Sequence, residues 1–132
     1  MHIVLCLDDK NGILFNARRL SSDLAVCKRI VAQHSGRLMM NSYSAKLFSD
    51  ADVLVDDEFL KNAHAEDTCF VENLDFAKYL QDISSITIYR WNRHYPSDVK
   101  LPERLLTDWK LIENIDFAGK SHDTITEQRY MR

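Results

Sequence analysis

Long apolar runs are missing from this chain, and so is an excess of charge of either sign. No stretch approaches the roughly 18 to 20 apolar residues that a membrane helix needs. The amino-terminal run from His2 to Leu7 meets Asp8 and Asp9 too early, and lacks the basic start, to read as a secretory signal. These absences predict a cytoplasmic protein with no membrane partner. A formal net charge of −3 gives no global attraction for nucleic acid or anionic lipid, so polyanion binding would need a local basic patch. Cysteine is scarce and odd in number: Cys6, Cys27 and Cys69 stand far apart in apolar segments. That excludes a disulfide framework and a CxxC metal pattern, and predicts buried thiols. His2, His34, His64, His94 and His122 show no H-x-H or H-E-x-x-H spacing, so no metal site is expected. Repeats and low-complexity segments are also lacking.

What is present is the balance of a folded chain, 45% hydrophobic and 28% charged over 132 residues, which suits a single domain spanning 1–132. Residues 2–8 form a continuous apolar run that predicts a strand buried on both faces. After Asn11-Gly12 and an irregular stretch, Ser21 or Ser22 is placed to cap a helix that carries Leu24, Cys27, Ile30 and Val31 on one face and ends near Gly36. A strand over 37–40, helical turns over 42–48, a strand over 52–55 and another over 68–72 follow. Phe76, Ala77, Leu80 and Ile83 recur at helical spacing. The segment 86–95 reads as one long strand, Pro96 and Pro102 bracket a loop, and 109–115 with 125–130 read as an antiparallel hairpin turning near Gly119. The expectation is an α/β fold: a mostly parallel central sheet with a C-terminal antiparallel hairpin and helices on both faces.

The segment Ile3–Lys28, reading IVLCLDDKNGILFNARRLSSDLAVCK, resembles the opening of dihydrofolate reductases, with its apolar strand, N-G-I-like turn, active-site loop and P-x-D-L-type helix start. The carboxyl end is similar too, through Pro102, Trp109-Lys110-Leu111 and a final strand ending in Arg132. On this resemblance the chain is a short, divergent bacterial member with a shortened form of that fold. Some similar proteins carry the label ribonuclease Z, whose H-x-H-x-D-H metal cluster this sequence lacks. The resemblance makes Asp23 the catalytic acid that would hold a pterin, nucleotide or related heterocycle, because a carboxylate accepts two parallel N–H bonds from a flat amidine-like edge. It places Leu7, Arg18 and Cys27 around that ligand, Arg18 roughly where the family often carries tryptophan. The alternative reading of Asp23 is an acid in the first helical turn, favoured there by the macrodipole.

The same resemblance points Ser42, Ser44 and Asp57 at a cofactor, with departures that argue against NADPH. The family's M-G-R-x-T turn reads Met40-Asn41-Ser42-Tyr43-Ser44 here, which keeps a hydroxyl at Ser44 and loses the cation at Ser42. Asp56-Asp57-Glu58 stand where the family offers a serine and a base to the ribose phosphate, so any dinucleotide preference should run to NADH. The G-G-x-x-x-Y segment is missing, since 85–132 contains only Gly119. The cofactor therefore stays unassigned, and the expected function is heterocycle binding with a degraded NADPH site. Two alternatives stand beside it: a non-enzymatic interaction or regulatory module, and a nucleic-acid-binding protein. The second rests on Arg90–Tyr95, which as a strand would set Arg90, Asn92 and His94 on one face and Trp91, Arg93 and Tyr95 on the other. Ser121-His122-Asp123 reads as turn chemistry, since triads are assembled from separate segments.

Overall fold

The computed structural model describes residues 1–34 and 36–132. Among the described residues, ten strands follow one another: β1 (His2–Leu7), β2 (Gly12–Phe15), β3 (Arg18–Arg19), β4 (Leu38–Met40), β5 (Leu54–Val55), β6 (Thr68–Phe70), β7 (Ser85–Arg90), β8 (Val99–Lys100), β9 (Lys110–Ala118) and β10 (Thr124–Met131). Three α-helices, α1 (Leu24–Gln33), α2 (Ser42–Ala45) and α3 (Phe59–Asn62), are supplemented by 3-10 turns over Lys46–Phe48, Ala77–Asp82 and Glu103–Leu106. The main sheet has the order β5-β4-β6-β1-β7-β10-β9. Its first five strands are parallel; β10 runs antiparallel to β7, and β9 antiparallel to β10. This is the expected mostly parallel sheet with an antiparallel C-terminal pair.

Strand alternation divides the core. Ile3, Leu5 and Leu7 of β1 join Met39, Cys69, Ile86 and Ile88 beneath α3 and the 3-10 turns over 77–82 and 103–106, with Phe59, Phe76, Leu101 and Trp109 closing that face. Val4, Met40, Phe70, Tyr89 and Ile125 point the other way, against Val26 and Ile30 of α1 and Phe48. Each such side chain withdrawn from water contributes roughly 1.5–3 kcal/mol. A buried polar anchor aligns α1: Arg29 forks onto the Glu127 carboxylate, which also accepts from the Tyr89 hydroxyl at 2.6 Å.

Local chemistry overrides several sequence expectations. The α1 cap is Asp23 rather than Ser21 or Ser22, its side chain accepting from the Ala25 N–H. Leu24 is 52% exposed and leaves the buried stripe to Val26 and Ile30, and the helix stops at Gln33. Residues 77–82 form a 3-10 helix with no buried member, because Phe76 and Ile83 at its two ends already reach the core. The irregular stretch after Gly12 is a tight β2–β3 hairpin whose corner, Asn16-Ala17, takes positive φ at both residues, the geometry that matches strand twist. The loop between the two prolines contributes β8, which pairs with β2. The long strand expected over 86–95 ends at Arg90, since Asn92 turns to a φ of 56°. None of the helices among the described residues is long and apolar enough to cross a membrane.

Candidate functional site

In open α/β sheets the working crevice lies outside the carboxyl ends of the parallel strands. Asp23 sits there, where the β3–α1 connection meets the β9–β10 turn. Its carboxylate is buried and accepts four N–H groups of the chain itself: the backbone of Ala25, Lys120 and Ser121, and His122 Nδ1 at 2.9 Å. Burial alone would raise the Asp23 pKa; the hydrogen bonds from Lys120, His122, Ser121 and Ala25 outweigh it and hold the group at about 2. Both faces of the alternative reading therefore meet in one residue, a helix cap and a buried acid tied to a histidine.

His122 is held from every side. Its ring stacks on Trp91 with centroids 4.7 Å apart at an interplanar angle of 19°, and Nε2 faces the Ser21 hydroxyl at 3.2 Å and the Tyr95 hydroxyl at 3.0 Å. An ionised carboxylate only accepts, so Nδ1 donates to Asp23 and Nε2 is left to the two hydroxyls. Reading 121–123 as a turn is correct as far as it goes, but the sequence holds no local signal that His122 reaches back 99 residues to Asp23. The aromatic residues of 90–95 are likewise spent internally: Trp91 is buried under His122, and Arg90 is fixed by Gln128, Asn11 and the Asp8 carbonyl. The two-faced strand expected of this stretch does not form, because Trp91 and Tyr95 converge on His122 from a loop.

The cofactor candidates lie at the ends of β4 and β5. Ser42 donates its N–H and its hydroxyl to Asp57 at 2.8 and 2.9 Å, a pairing that holds the Asp57 carboxyl below its ordinary range. Ser44 donates its hydroxyl to Glu72 at 2.8 Å. Glu72 also receives a two-pronged bond from Arg19, whose guanidinium lies 4.4 Å over the Tyr43 ring. This ion-pair cluster was not foreseen. The strand beside β1 on the β4 side is β6, and it runs into Val71-Glu72-Asn73-Leu74, a connection without glycine. Asn73 accepts from the Asn41 side chain at 2.7 Å, further tying the two strand ends together.

The three residues expected around a ligand are not brought together. Leu7 is wholly buried in the core on the far face of β1. Arg18 is exposed on the β2–β3 hairpin and borders a recess with Phe15, Leu20, Tyr95 and Pro96. Cys27 borders an apolar groove of about 360 Å3 between α1 and the 46–51 turn, together with Leu24, Val31, Leu47 and Phe48, with Lys28 at its rim. Burial raises the Cys27 thiol to about 11, helped by Glu72 and Asp23, so this cysteine is an un-ionised apolar wall.

A mostly parallel sheet with an antiparallel end pair, one long helix capped by a buried acid and a crevice at the strand ends define the class. No family model matches the sequence, and no curated protein is similar to it. Among solved structures, the chain is similar over its whole length to the dihydrofolate reductase from Enterococcus faecalis complexed with NADP(H) and RAB-propyl, with a TM-score of 0.68, 12% identity and 96% of that chain covered. The protein has the dihydrofolate reductase-like fold.

Proposed function

We propose that this chain binds a small planar heterocycle, of pterin or nucleotide type, in the groove between α1 and the 46–51 turn, without nicotinamide-dependent hydride transfer. The observation that carries the reading is the groove itself. Cys27 lies one helical turn beyond Asp23, its N–H on the Asp23 carbonyl, and the apolar walls suit a flat ring, with Lys28 and Asp50 setting one charge of each sign at the border. Asp23 acts behind the groove, because its oxygens already hold four donors. An anionic dinucleotide does not fit the residues present: Asp57 occupies the first N–H of α2, and Glu72 takes the Ser44 hydroxyl and the Arg19 charge.

Thermal melting with folates, pterins, nucleotides, NADH and NADPH tests this. One of the first three classes should raise Tm, by on the order of 10 °C at a hundredfold excess over Kd. Val31→Trp, which fills the groove, should abolish the shift, and both dinucleotides should leave Tm unchanged. A melting temperature indifferent to the whole panel would sink the proposal.

A further inference from the structure

The geometry points to a second site: Ser21, His122 and Asp23 form a nucleophile–base–acid triad that transfers the acyl group of small anionic esters to water. Ser21 and Asp23 stand two positions apart in the β3–α1 connection, and His122 reaches both from the β9–β10 turn. Asp23 Oδ2 lies 2.9 Å from His122 Nδ1, and His122 Nε2 lies 3.2 Å from Ser21 Oγ. Three backbone N–H groups, from Ala25, Lys120 and Ser121, keep the carboxylate aimed, and the Trp91 ring blocks rotation of the imidazole. A fold that needed only to pin the β9–β10 turn would be served by the Asp23 contacts alone. The half-buried Ser21 hydroxyl, 3.2 Å from Nε2, is placed to give its proton to that nitrogen.

Ser21 follows Leu20, which borders an open recess of about 510 Å3 lined also by Phe15, Arg18, Tyr95 and Pro96. Phe15, Leu20, Tyr95 and Pro96 give the recess an apolar side and Asn16, Arg18 and Arg19 a polar one, and the exposed Arg18 guanidinium selects a compact ester carrying a carboxylate or phosphate. In the first step Ser21 Oγ attacks the ester carbonyl while its proton passes to His122 Nε2. The C–O bond to the alcohol then breaks, and that proton leaves with the alkoxide, giving the free alcohol and acyl-Ser21. In the second step water, deprotonated by the same nitrogen, attacks the acyl-enzyme, releases the carboxylic acid and returns the proton to Ser21. Asp23 keeps Nδ1 protonated and balances the imidazolium formed in each step. The Tyr95 hydroxyl, 3.0 Å from Nε2, competes with Ser21 for the lone pair.

The test uses the full chain with a fluorophosphonate probe, mapped by peptide mass spectrometry, and with 4-nitrophenyl hemisuccinate beside neutral 4-nitrophenyl acetate. The expected result is a single adduct on Ser21 and an initial burst of nitrophenolate. Ser21→Ala should lose adduct and burst at least a hundredfold with Tm unchanged. Tyr95→Phe, which removes the competing hydroxyl from Nε2, should raise the rate. Arg18→Ala should raise KM for the anionic ester alone. Absence of an adduct, an adduct elsewhere, hydrolysis that survives Ser21→Ala, or loss of hydrolysis in Tyr95→Phe overturns the assignment.

Discussion

Asp23 is the buried acid at the centre of the candidate site. Its pKa falls from 3.8 to about 2, and a depressed carboxyl stabilises the fold above the unfolded-state value and loses that stabilisation as pH falls through the folded-state value. The window therefore lies between about pH 5 and pH 2, and a shift of nearly two units corresponds to about 2 kcal/mol. Urea unfolding of the protein and of Asp23→Asn across this range should show the gap in unfolding free energy narrowing by that amount toward pH 2. A gap that stays constant down to pH 2 would contradict the four-donor cage. The residue itself was legible in the sequence as a helix-start acid. Its partners were not, because Lys120, Ser121 and His122 lie about a hundred positions away and nothing in their own segment marks them.

At the scale of elements, the β9–β10 turn is set by close approach to the start of α1. A Cβ on Gly119 would stand 2.5 Å from the His122 carbonyl oxygen and 2.8 Å from Asp23 Oδ2, contacts that backbone cannot relieve without moving the turn. Gly119→Ala should cost about 1–3 kcal/mol by overpacking, whereas Gly36→Ala, with open space around it, should leave stability nearly unchanged. Differential scanning calorimetry of the pair decides it: equal melting temperatures would mean that the turn is free to shift. The segment 76–83 shows why periodicity alone misleads. Helical spacing of apolar residues records which side chains face the core, and a 3-10 turn anchored by Phe76 and Ile83 satisfies the same spacing over so short a span.

For the molecule as a whole, the main sheet has an unprotected border. β9 is a nine-residue edge strand, and Leu111, Ile112 and Ile115 on it are each at least 40% exposed. Long apolar edges invite pairing with other chains. Ile112→Lys should suppress concentration-dependent light scattering while changing unfolding free energy by no more than about 0.5 kcal/mol. Scattering equal to that of the parent chain would show that self-association, if any, uses another surface.

What the sequence determined by itself was the class of fold and the order of its main elements. The apolar run 2–8 and the extended segment from 86 specify strands, the helical recurrence of Leu24, Cys27, Ile30 and Val31 specifies α1, and the final alternating pair specifies a hairpin. These are local or periodic properties that survive without partners. Tertiary structure alone decided the contacts that give the site its chemistry. Glu72 reads as a strand-end acid until Arg19 and Ser44 close on it. Leu7 reads as a site residue until its alternation turns it to the opposite core, and His122 reads as a turn residue until the hairpin brings it under Trp91 and onto Asp23. Each of those outcomes depends on which strand lies beside which, and sheet order is fixed by long-range packing that no single segment encodes.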